Sequence, residues 1–140
     1  MKQYKLILNE RQLIAISSAC EIVSRLKIGQ WGMAVETCKD KEGNYIYDWD
    51  VAQQIENIIK PIMGLERNQS WGVGRFEDAD ILWDIHQVLR HRLSWDYAIE
   101  KGYVENEQEH RNWSKMLGVT YDEPMKFSKQ PLPLIKKIKK

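Results

Sequence analysis

The sequence predicts one α+β domain spanning 1–140: a helical body with a long central helix, and short edge strands supplied by the N- and C-terminal segments. Three observations carry that expectation. The chain has 140 residues, 43% of them apolar, enough for a single core without staples. Apolar residues recur at helical spacing in three stretches. The two ends break that rhythm, the first by alternation and the last by proline.

Residues 3–8 alternate Tyr4, Leu6 and Leu8 with Lys5 and Ile7, the pattern of a short strand. Asn9 then offers a helix N-cap, with Gln12 three residues on as its capping-box partner. The helix runs to about Leu26 on the stripe Leu13, Ile16, Ala19, Cys20, Val23 and Leu26. Arg11, Ile22 and Arg25 fall on its opposite side, where Ile22 suits an oligomer contact. Gly29 ends it, and Gln30 to Cys38 reads as a short second helix. Gly43-Asn44 marks a loop or small hairpin over 39–47. Asp48 or Asp50 caps a helix with the stripe Val51, Ile55, Ile58, Ile59 and Ile62, closed by Pro61 and Gly64. Residues 66–75 form a loop, and 77–99 form the long helix. A polar stretch over 102–112 precedes an apolar turn at Trp113, Met116 and Leu117. Pro124, Pro131 and Pro133 then favour an extended edge segment over 119–138.

Composition narrows the function. No run approaches the 18 or so apolar residues of a membrane span, and the opening apolar run is too short for a signal-peptide core. Cys20 and Cys38 form no metal-type spacing and read as reduced thiols. Net charge is +1, with lysines concentrated in the last five residues, a terminus that reads as solvated. The expected setting is cytoplasmic.

No motif for an enzyme, metal or cofactor stands out. His86 and His91, five apart on one helix, point about 140° apart and share no metal. Gly72-Val73-Gly74 lacks the third glycine of a dinucleotide fingerprint. The long helix is more informative. Ile81, Leu82, Ile85, Val88, Leu89 and Leu93 cover one broad face, read as core. Arg92 falls inside that face one turn before Asp96, the spacing of an ion pair. Arg90 lies at its margin beside His86 and Trp83, where a guanidinium, an imidazole and an aromatic ring suit a phosphate or nucleotide. An exposed arginine lying along Trp83 fits that margin equally. Gln87 and Ser94 add uncharged hydrogen-bonding groups. Trp71 before two glycines leaves room for a flat group to stack, or anchors a loop. Arg25 and Lys27 at a helix end either hold an anion or complement the helix dipole.

The segments LILNERQL, SRLKIGQW, SWGVG, DIHQVLRHRLSWD and YDEPMKFSKQPLP, in this order, resemble a group of small phage proteins. The group includes the phage Thoeris anti-defence sponges, which sequester cyclic ADP-ribose signals made by bacterial TIR-domain enzymes without degrading them. The likeness covers most of the chain apart from 39–47 and 102–113. It implies that Arg25 contacts a phosphate, that Trp71 stacks on adenine, and that Arg90 or Arg92 holds the pyrophosphate. It also implies a homo-oligomer with pockets between subunits, acting in the cytoplasm of the infected bacterial host. A tryptophan at 71 is a larger ring than that position implies. The expected function is therefore non-enzymatic capture of a cyclic nucleotide signal, with Arg25, Trp71, Trp83, His86, Arg90 and Arg92 as ligand-binding residues and no cofactor or metal. The rival readings are a nucleic-acid-binding phage protein using the lysine tail, and an inhibitor that docks on a host protein.

Overall fold

The computed structural model describes residues 2–46, 48–107 and 121–138, the side chain of residue 34 apart. The described residues hold four helices: α1 (Glu10–Lys27), α2 (Gly32–Val35), α3 (Trp49–Ile62) and α4 (Glu77–Glu100). They hold no strand, only one isolated antiparallel bridge between Lys39 and Tyr45. The fold is all-α, which corrects the α+β expectation. The reason is that alternation gives a segment a strand's shape but not a partner for its N–H and C=O groups. Residues 2–9 form no ladder, and Tyr4, Leu6 and Ile7 are exposed. The C-terminal segment does find partners for its amides, but they are carboxylates of α4. Phe127 N and Ser128 N donate to the two Asp84 oxygens at 2.9 and 3.0 Å, and Lys129 N donates to Glu77 at 3.0 Å. Trp113, Met116 and Leu117 lie outside the described residues.

The helix ends follow local chemistry. Asn9 accepts from Gln12 N and donates its own N–H to the Gln12 side chain, both at 3.0 Å, a complete capping box. Asp48 accepts from Asp50 N and Val51 N to start α3. After α1 the chain must turn under the linker that follows α3. Gly29 has φ 91°, and a Cβ there would meet Leu65 Cδ1 at 2.4 Å, so only glycine fits.

Helices α1 and α4 run antiparallel. Ser17 meets His86, Ser24 Oγ donates to the Ala79 carbonyl at 2.9 Å, and Lys27 pairs with Asp78, so numbers rise on one helix as they fall on the other. The buried positions of α1 are Ser17, Cys20 and Ser24. Small side chains there allow the two helices to approach closely, whereas Val23 of the expected stripe is exposed.

Helix α4 is covered on more than one side, and this reshapes the expected core. Val88 and Leu89 are buried, but Ile81, Leu82, Ile85 and Leu93 are only half-buried, while Asp80, Asp84 and His86 are buried. On a 100° wheel Asp84 lies about 160° from His86. One face of α4 therefore meets α1 and another meets the 125–129 strap. At its C-terminal end Trp95, Ala98 and Val104 form a core cluster against which Tyr121 packs, its ring 5.4 Å from Trp95 and nearly perpendicular. His91 is a structural residue here, accepting from Trp95 Nε1 at 3.1 Å.

Candidate functional site

The antiparallel pairing sets a polar stripe of α1 opposite a polar stripe of α4. Between them lies a groove of about 380 Å³ whose walls include Ser17, His86, Arg90, Ser94, Tyr97 and Tyr121. His86, Arg90 and Ser94 are successive i,i+4 positions, so one face of α4 delivers all three. Tyr121 arrives from the C-terminal segment, which the Asp84 clamp and the Gln87 contact to the Met125 carbonyl (3.1 Å) hold against α4.

His86 is 4% exposed and sits at the centre of this arrangement. Its Nδ1 lies 3.1 Å from both the hydroxyl and the carbonyl oxygen of Ser17. Its Nε2 has no hydrogen-bond partner and lies 3.7 Å from a Glu21 carboxylate oxygen. A neutral imidazole protonated at Nε2 suits this setting, with Nδ1 accepting from the Ser17 hydroxyl and the Nε2 proton facing Glu21. Burial pushes the His86 pKa below its ordinary value. Glu21 and the Ser17 carbonyl oppose this, and the positive charges of Arg90 and Arg25 reinforce it.

The neighbouring cations differ in how fully they are matched. Arg25 donates from Nε and Nη2 to one Glu21 oxygen at 3.0 and 2.9 Å, and from Nη1 to Gln30 at 2.7 Å. Its guanidinium lies 5.1 Å from the centre of the Trp83 ring, and Trp83 in turn stands 5.3 Å from His86. Arg25, read from sequence as lying opposite the packed face, is thus half-buried at the α1–α4 seam. Arg90 is not matched. Among the described residues it makes no ion pair, and its Nε is buried without a partner.

The structure brings Arg25, Trp83, His86 and Arg90 into one seam. It places Arg92 elsewhere, about 200° around the helix from Arg90. Arg92 binds Asp96 at 2.9 Å and also pairs with Glu107. Burial works against its charge, but the two carboxylates outweigh it and hold its pKa above the ordinary value. Trp71 is also apart. Its N–H donates to the Ile28 carbonyl at 2.9 Å, and its ring carries the Arg75 guanidinium at 5.0 Å and the edge of Phe76. The loop that carries it is tied to α4 through Gly74 N, which donates to the buried Asp80 at 2.7 Å. Sequence reasoning missed Ser17, Glu21, Tyr97 and Tyr121. The one signal for the first two was a polar stripe, Glu10, Ser17, Glu21 and Arg25, running along α1 at helical spacing.

The contacts Ser17–His86–Glu21 invite comparison with a nucleophile, base and orienting acid. Chemistry of that kind needs N–H donors for an oxyanion beside the nucleophile. Ser17 lies mid-way along α1, where backbone N–H groups are committed to i−4 carbonyls, and it is itself buried. No backbone donor of that kind is free beside Ser17. No group of His, Cys, Asp and Glu among the described residues could hold a metal ion. No helix there is long and apolar enough to cross a membrane. Comparison with protein-family models, with curated proteins and with solved structures gives no match.

Proposed function

We propose that the groove between α1 and α4 captures a phosphate-bearing nucleotide of the cyclic ADP-ribose class and holds it intact. The observation that carries the reading is Arg90, a cation without a carboxylate partner among the described residues, in the wall of a ligand-sized groove beside a buried histidine with an unpartnered nitrogen. A half-buried guanidinium whose buried Nε lacks a partner costs some stability in the empty protein. A phosphate accepts a bidentate pair of hydrogen bonds from such a group and recovers that cost on binding. Ser94 supplies a hydroxyl, and Tyr97 and Tyr121 supply rings for a base or ribose in the same groove. The role that the phage resemblance gives Trp71 requires a base to share its ring with Arg75 or to displace it.

In this reading the chain is a phage counter-defence protein, working as a homo-oligomer in the cytoplasm of the infected host. It lowers the free concentration of a signal and consumes nothing. The test is to incubate the protein with cyclic ADP-ribose, remove unbound nucleotide, denature, and analyse what is released. Intact cyclic ADP-ribose in stoichiometric amount is the expected result. Release of linear or hydrolysed product identifies an enzyme and overturns the reading, as does the absence of any bound nucleotide. A steep loss of binding with salt, tracking many phosphates, points instead to nucleic acid.

A further inference from the structure

Arg90 has a counterpart of opposite sign in the same groove. Glu10, in the first turn of α1, is one of the residues lining it. Among the described residues the Glu10 carboxylate makes no ion pair and no hydrogen bond. The antiparallel register fixes its height. Ser17 meets His86 and Ser24 meets Ala79, so each step along α1 is matched by one step back along α4. Glu10 comes seven positions before Ser17 and Leu93 seven after His86, which sets Glu10 level with Leu93 and beside Ser94. At about 1.5 Å per residue, Ser94 stands about 6 Å along the groove from Arg90, and Tyr97 about 4.5 Å further. Three stations follow in order. The Arg90 guanidinium comes first, then the Glu10 carboxylate across from the Ser94 hydroxyl, then the rings of Tyr97 and Tyr121.

We infer that Glu10 reads the sugar of the ligand, selecting a ribose with a free 2′-hydroxyl and rejecting one that carries a 2′-phosphate. This rests on the nucleotide reading of the groove given above. A nucleotide is built in the order phosphate, ribose, base, and the groove presents its groups in the matching order. With a phosphate on Arg90 and the base on a tyrosine ring, the ribose falls at the level of Glu10 and Ser94. A carboxylate only accepts hydrogen bonds, so what it takes there is a hydroxyl. Dinucleotide-binding folds choose their cofactor by the same chemistry: an acidic residue holds the ribose 2′-hydroxyl, whereas a 2′-phosphate needs an arginine. The charges of the groove point the same way. Among the described residues, Glu10 and Arg90 are its only lining groups with a full charge, since burial favours the neutral form of His86. A second phosphate, placed on the sugar, would meet a carboxylate and no second cation. A first-turn carboxylate also complements the helix dipole, so the position costs α1 nothing.

The test is calorimetric titration of wild type and Glu10→Gln with three probes, alongside thermal melts. The probes are cyclic ADP-ribose, its analogue phosphorylated at the 2′-oxygen of the adenosine ribose, and the corresponding 2′-deoxy analogue. Wild type is expected to bind the 2′-phosphate about 10-fold or more weakly than the parent. It is expected to bind the 2′-deoxy analogue about 3- to 10-fold more weakly. In Glu10→Gln the amide keeps an acceptor but loses the charge. The penalty on the 2′-phosphate is expected to shrink to about 3-fold or less, with the parent bound within about 5-fold of wild type and the melt unchanged. Wild type that binds the 2′-phosphate as tightly as the parent overturns the sugar reading and leaves capture standing. So does a penalty that stays as wide in Glu10→Gln, or loss of all three probes by that variant at an unchanged melt. A variant that melts lower is replaced by Glu10→Ala under the same criterion. No binding of cyclic ADP-ribose by wild type refutes capture itself, and the sugar reading falls with it.

Discussion

The two arginines two residues apart on α4 should fail in opposite ways when truncated. Arg90→Ala removes a guanidinium that has no carboxylate partner among the described residues and a buried, unpartnered Nε. Its loss removes a desolvation cost along with some packing, so the melting temperature should move by no more than about 2 °C. Binding should suffer, because a charge-assisted contact to phosphate is worth roughly 1.5–3 kcal/mol, or about 10- to 150-fold in affinity. Arg90→Lys should be impaired as well, since a point charge cannot reproduce the guanidinium fork. Arg92→Ala breaks contacts to Asp96 and Glu107 instead. Breaking a fully buried pair costs about 3–5 kcal/mol. The Arg92 and Asp96 side chains are 19% and 22% exposed, and Asp96 keeps Lys137 at 3.4 Å. Solvent screening therefore reduces the expected loss to about 1–2 kcal/mol. For a chain of this size that lowers the melting temperature by roughly 3–8 °C. Calorimetric titration with cyclic ADP-ribose and thermal melts of both alanine variants separate the two roles. Equal melts, or binding lost with Arg92 and kept with Arg90, would refute the assignment of the groove to Arg90.

Two further outcomes follow from the buried acid and base of α4. Asp84→Ala leaves Phe127 N, Ser128 N and Ser128 Oγ without their common acceptor, so protection from hydrogen exchange at 127–128 should fall. Global stability should drop by about 2–4 kcal/mol, and Tyr121, carried by the same segment, should lose its fixed place in the groove. Unchanged exchange at those amides contradicts the clamp. His86 titrates lower in the folded chain than its ordinary value of about 6.5. Between the two values the unfolded chain binds more protons, so His86 lets stability rise with pH and removes it as pH falls through about 6.5 and below. Melting temperatures from pH 7.5 to 5.5 should therefore fall more steeply for wild type than for His86→Gln. Parallel curves would show that His86 is not held neutral by its surroundings.

How much of this was legible in the sequence varies by element. For α3 the sequence narrowed the cap to Asp48 or Asp50, and the structure selects Asp48. The Asn9 capping box, the break at Gly29 and the extent of α4 depend on contacts within a few residues, and the sequence alone determined them. So did the i,i+4 spacing that brings Arg92 to Asp96, and the clustering of Trp83, His86 and Arg90 on one side of one helix. The tertiary structure decided whatever required a partner from a distant segment. Tyr4, Leu6 and Leu8 alternate like a strand, but among the described residues no second strand meets them. Phe127 and Ser128 are extended, but carboxylates of α4 take the N–H groups that a ladder would have used. The periodicity of α3 was plain, yet it could not reveal that Lys60 and Glu56 would face inward and Ile58 and Ile62 outward. Ser17 and Glu21 became site residues only when α1 lay antiparallel against α4 and brought them to His86 across 60 or more positions of sequence. A local pattern fixes which side chains share a face of a helix. What that face meets is decided by the packing of the whole chain, because burial and pairing energies depend on neighbours that spacing does not encode.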